Sequence, residues 1–89
     1  MNSNESWDIR TNNNIYKILK SFPKKDSEKI VSIIESLSQN PFFGDIQKMA
    51  EEENIWRRRV GNYRIFYEIK SDERMVYVFN LKRRSSKTY

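Results

Sequence analysis

Cysteine and histidine are both absent from these 89 residues. Without thiols there is no disulfide and no thiolate nucleophile, and without imidazole the usual zinc ligand sets and histidine acid–base catalysis are excluded as well. No apolar stretch approaches the roughly 20 residues of a membrane-spanning helix. The polar start Met1-Asn2-Ser3-Asn4-Glu5 has none of the apolar run of a secretion signal, so a cytoplasmic protein with no membrane role is expected. Only two glycines and two prolines punctuate the chain, with no repeat and no low-complexity tract. A single domain over residues 1–89 with short connections is predicted, and no metal or other cofactor is expected.

What is present is aromatic and unevenly charged. Two Trp, five Tyr and five Phe supply large rings that fill a small interior efficiently and can also stack on bases. The net charge of +5 conceals a division: residues 1–53 carry seven basic and nine acidic side chains, residues 54–89 ten basic and three acidic. A field so concentrated suits a phosphate backbone or an acidic protein partner.

The apolar spacing changes along the chain. Ser6 to Arg10 reads as a short strand. Ile15, Ile18, Leu19 and Phe22 then recur at helical spacing, predicting a helix over about Asn12 to Ser21, with Asn12 to Asn14 as capping side chains. Pro23 opens a second helix whose stripe is Ile30, Ile33, Ile34 and Leu37, and Asn40-Pro41 stops it. Residues 42–53 read as a connector ending in three glutamates. From there the period is two: Ile55–Val60, Tyr63–Lys70 and Met75–Leu81 are predicted strands, joined by Gly61-Asn62 and Ser71-Asp72-Glu73. The fold class is α+β, a helical hairpin on one face of a small antiparallel sheet that includes the N-terminal strand, with the other face open.

The pleat then divides the arginines. Trp56, Arg58 and Val60 share the side facing the helices, where the Arg58 stem is expected along the sheet edge with its head at solvent or a carboxylate. Arg57 and Arg59 project from the open face about 7 Å apart. In the next strand Tyr63, Ile65, Tyr67 and Ile69 form the apolar set, so Arg64 joins Arg57 and Arg59, and Phe66 becomes a rim residue or a platform for a base. Lys82, Arg83 and Arg84 follow the last strand, where both basic clusters can meet at one end of the sheet. A solvated basic face is the plainer reading of either cluster alone.

From Trp56 to Tyr89 the pattern W-R-R-R-V-G-N-Y-R-I-F-Y-E-I, a charged turn, V-Y-V-F-N-L and K-R-R-S-S-K-T-Y resembles the RelE/ParE superfamily of toxins, and the order of elements agrees over nearly the whole chain. The linker Asn40-Pro41-Phe42 with Gly44-Asp45-Ile46-Gln47-Lys48 looks like that family's lead into its sheet. The superfamily holds two main activities, cleavage of mRNA in the ribosomal A site and poisoning of DNA gyrase, so the fold alone does not choose between them. The resemblance to the RelE branch matches its two alternating basic residues to Arg57 and Arg59, the arginine of its Y-R element to Arg64, a later arginine to Arg83, and a tyrosine six residues on to Tyr89; Arg64 and Arg83 are expected to hold the scissile phosphate.

That resemblance implies a metal-independent endoribonuclease, the toxin of a toxin–antitoxin pair, with Arg59, Arg64, Arg83 and Tyr89 catalytic and Arg57, Lys82, Arg84 and Phe66 contacting RNA. The ribosome and mRNA would be its targets. An acidic or amphipathic antitoxin segment would cover the basic face, and no sequence-specific DNA binding is expected of this chain alone. Several members of the branch carry lysines where Arg57 and Arg59 stand, one of them serving as general base. Arginine is a far poorer proton acceptor, so an electrostatic role is expected here. A gyrase inhibitor, or a basic module binding RNA or protein without catalysis, are the alternatives.

Overall fold

A computed structural model describes residues 6–49 and 53–84. The first predicted strand is shifted toward the helix: β1 spans Asp8–Thr11, and the Asn12 amide still donates to the Val78 carbonyl at 2.9 Å. Because Asn12 completes that ladder, α1 starts later than its apolar spacing suggests, at Asn14–Lys20. The Asn12 side chain accepts from the Asn14 amide at 2.8 Å, so it satisfies a donor at the helix start without being the capping residue. Pro23 stands immediately before α2, Lys24–Ser36, where its missing N–H is no loss. The Ser27 hydroxyl donates to the Leu19 carbonyl at 2.6 Å and ties the two helices together.

Five strands make one sheet: β1 is joined by β2 (Ile46–Lys48), β3 (Ile55–Val60), β4 (Tyr63–Lys70) and β5 (Met75–Arg83), in the order β1-β5-β4-β3-β2. β3, β4 and β5 form an antiparallel meander, and β1 joins the far side parallel to β5. The predicted connector contains one more strand, β2 at Ile46–Lys48, antiparallel to β3. Three residues with no apolar alternation give no period to detect; what makes them a strand is the edge that β3 offers. β5 also runs two residues beyond Leu81, to Arg83, because Tyr63 provides a ladder partner there.

One face of the sheet is apolar. Val60, Tyr63, Ile65, Tyr67, Ile69, Val76, Val78 and Leu81 are buried against Ile15, Leu19, Ile30, Ile34 and Leu37, each contributing about 1.5–3 kcal/mol when fully buried. The core positions of β5 step by two from Val76 to Val78 and then by three to Leu81. That break is a β-bulge: Tyr67 pairs with Val78 and Phe66 with Asn80, leaving Phe79 as the extra residue. Its consequence is topological. After the bulge Lys82 lies opposite Arg64, whereas unbroken alternation from Val76 and Val78 would have turned Lys82 toward the helices. Among the described residues no helix is long and apolar enough to cross a membrane.

Candidate functional site

The open face is built from rows that run across the strands. One row is Arg59 on β3, Arg64 on β4 and Lys82 on β5, each directly opposite its neighbour. Opposed side chains in such a sheet stand about 4.5–5.5 Å apart at Cβ, and like charges there are destabilising. Among the described residues one carboxylate offsets them: Asp45 accepts from Arg59 Nε at 3.0 Å, in a pair that is half exposed. The Arg64 Nε atom is buried and has no hydrogen-bond partner among the described residues. A row of cations with this little compensation among the described residues concentrates positive potential on the open face.

The next row is Gln47, Arg57, Phe66 and Asn80. Arg57 donates to the Gln47 side-chain oxygen. Phe66 faces Phe79 with ring centroids 6.4 Å apart, and the Lys82 ammonium lies 5.7 Å from the Phe66 ring. Tyr77 continues the aromatic surface, 6.4 Å from Phe79. A groove of about 400 Å³ follows this floor. Sequence reasoning found Phe66 but missed Phe79 and Asn80, although the three-residue step from Val78 to Leu81 was a legible sign of the bulge that turns both outward.

Arg58 takes the helix-facing side, as the pleat predicts, but its head goes elsewhere than expected. It is 8% exposed, and instead of reaching solvent or a carboxylate its guanidinium donates to the Phe43 carbonyl at 2.8 Å. Gly44 makes room for it: a Cβ there would lie 2.4 Å from the guanidinium carbon, and the backbone φ of +97° also favours glycine. The connector therefore folds over Arg58, and Asp45, the next residue, meets Arg59 through both its carboxylate and its backbone carbonyl.

Arg83 is not in the row. It pairs with Tyr63, on the helix-facing side, and its guanidinium sits 5.8 Å from the Tyr63 ring. The Tyr63 hydroxyl donates to Asp26 at 2.6 Å. That bond, with burial, raises the phenol above its ordinary pKa, while the Arg83 charge pulls the other way. Arg84 is exposed and its amide donates to the Asn62 carbonyl, closing the end of the sheet. Tyr89 lies outside the described residues. Of the expected group, Arg57, Arg59, Arg64, Lys82 and Phe66 thus share one face, and Arg83 stands at its rim on the other.

Known proteins share both the pattern and the shape. A family model described as "ParE toxin of type II toxin-antitoxin system, parDE" matches residues 7–87. RelE1 of Methanocaldococcus jannaschii is 26% identical over 81 residues, which cover 88% of this chain and 90% of that one. A chain in the archaeal RelE–RelB complex from Pyrococcus horikoshii OT3 superposes with a TM-score of 0.79 at 21% identity, covering 92% of this chain and 99% of its own. A chain of the RelB–RelE antitoxin–toxin complex from Methanococcus jannaschii gives 0.72 at 27% identity, with 86% and 92% covered.

Proposed function

The chain belongs to the ParE toxin family of type II toxin–antitoxin systems, and from that premise we propose that its open sheet face cuts messenger RNA on the ribosome, arresting translation in the cytoplasm. The single observation that carries this reading is the row Arg59, Arg64 and Lys82, three cations on three adjacent strands beside an aromatic floor.

RNA supplies its own nucleophile. The 2′-oxygen attacks the neighbouring phosphorus as water takes its proton, the bond to the 5′-oxygen breaks and that oxygen takes a proton from water, leaving a 5′-hydroxyl and a 2′,3′-cyclic phosphate. The protein must align that attack and hold a phosphorane with added negative charge. In this reading Arg64, between two other cations, holds the scissile phosphate through paired N–H donors, with Arg59 and Lys82 on the flanking oxygens and Arg57 on the adjoining backbone. By resemblance Arg83 and Tyr89 belong to the same step, Arg83 approaching from the rim of the sheet. Arg84 adds charge beside it.

The antitoxin is the second partner. The solved relatives named above are complexes with RelB, and an acidic or amphipathic segment covering the cationic row would silence it.

A gyrase-inhibiting activity is the competing reading, favoured by the family model being that of ParE and by the placement of Arg83 away from the row. Incubating the purified protein with ribosomes programmed with a defined mRNA, and mapping new 5′ ends, separates the two. Cuts within the A-site codon are expected. Their absence rejects the nuclease, and accumulation of cleaved gyrase–DNA complexes would establish the other activity.

A further inference from the structure

We infer that Phe66, Phe79 and Asn80 form a nucleobase subsite, which receives an unpaired RNA base next to the phosphate held by the cationic row. The inference rests on the RNA reading of that row and specifies what lies beside it. Phe66 is two residues along β4 from Arg64, about 7 Å, the order of separation between a nucleotide's phosphate and its own base.

Three features make this a built surface. The bulge turns two consecutive residues, Phe79 and Asn80, toward one partner, Phe66. The rings of Phe66 and Phe79 are tilted by 40° at 6.4 Å, too close to admit a base between them and well placed as a floor beneath one. Asn80 lines the groove and its side-chain oxygen accepts from the Leu81 amide at 2.8 Å, so the amide nitrogen is the side-chain atom left to donate. Such a donor meets an acceptor on a base edge. Lys82 covers one side of Phe66 at 5.7 Å and can reach the same nucleotide's phosphate.

Neither basic charge nor core packing explains the three together. A role in the core would bury the rings fully, but all three residues are only partly buried and lie on the face opposite the core. Sequence-tolerant binding of single strands combines a cationic track with aromatic platforms in this way, and each stacked base contributes about tenfold or more to affinity.

The test uses fluorescence anisotropy with three labelled probes of equal length and charge: hexaadenylate, hexauridylate and an abasic ribose–phosphate hexamer. The intact protein is expected to bind hexaadenylate at least about tenfold more tightly than the abasic probe. Phe66→Leu and Phe79→Leu, which keep apolar volume and lose the ring, should shrink that ratio while leaving abasic binding unchanged. Asn80→Asp replaces the donor with an acceptor and should weaken both base-bearing probes more than the abasic one. Arg64→Ala should weaken all three alike.

If the intact protein binds the abasic probe as tightly as hexaadenylate, and Arg64→Ala still weakens both, the subsite is overturned while the cationic row stands. The aromatic floor would then be left for a protein segment. If no probe binds at low salt, or Arg64→Ala changes nothing, the RNA reading of the row falls together with the subsite.

Discussion

Arg58 shows how a residue in the middle of a basic run can serve the fold rather than the ligand. Its guanidinium is enclosed, holds the Phe43 carbonyl and needs Gly44 beside it. Arg58→Ala is expected to cost about 1–3 kcal/mol, because the carbonyl loses its donor. Gly44→Ala should cost a similar amount through strain at positive φ and the clash with the guanidinium. Urea denaturation with an unchanged m-value checks both, and a midpoint within error of the parent for either would remove Arg58 from its clamping role. Tyr67 gives a pH prediction. Burial pushes its phenol up to about 12 against the opposing Arg58 charge, while its hydroxyl donates to the Pro41 carbonyl at 2.9 Å. A raised folded-state pKa means the folded form holds the proton after the unfolded form has lost it. The contribution is therefore fully present below pH 10 and is lost as pH climbs toward about 12. Tyr63, also raised, acts in the same direction. Melting temperature should fall over that interval, and more shallowly in Tyr67→Phe; an equal slope in the variant would contradict the assignment. The pleat alone predicted that Arg58 turns inward. That its head finds a backbone carbonyl was illegible, since the Phe43 carbonyl arrives from a loop with no period of its own.

The β4–β5 pair determines which cations meet. With the bulge at Phe79, Leu81 remains opposite Ile65 and Lys82 opposite Arg64. Deleting Phe79 should leave those pairs intact, since Val78, Asn80 and Leu81 would then alternate without interruption. A cooperative melt and a near-parental far-ultraviolet spectrum are expected from that deletion, with the aromatic floor lost. A collapse of the folded signal would show that the twist of the bulge is itself required. The three meander strands were readable because β-branched and aromatic residues alternate through them with clear turns between. β2 was not, for it is short, half exposed and held by the edge of β3 and the Arg58 contact.

For the whole molecule, charge separation has a measurable consequence. Each phosphate contact to a single strand contributes about 0.7 to the slope of log affinity against log salt, so the row of three should give a slope near −2, and Arg64→Ala should reduce its magnitude by about 0.7. Arg64→Ala should also abolish growth arrest in cells while the protein still folds and still binds its antitoxin. Undiminished arrest would remove Arg64 from the site. The order of the two helices and the three meander strands, the two apolar faces, the basic C-terminal half and the membership in a toxin family were determined by the linear chain, because local periodicity and residue type carry them. Which cations face one another was decided by the folded sheet. Register depends on pairing between strands, and the bulge that absorbs the extra residue in β5 keeps Lys82 in line with Arg59 and Arg64 while leaving Arg83 on the other side.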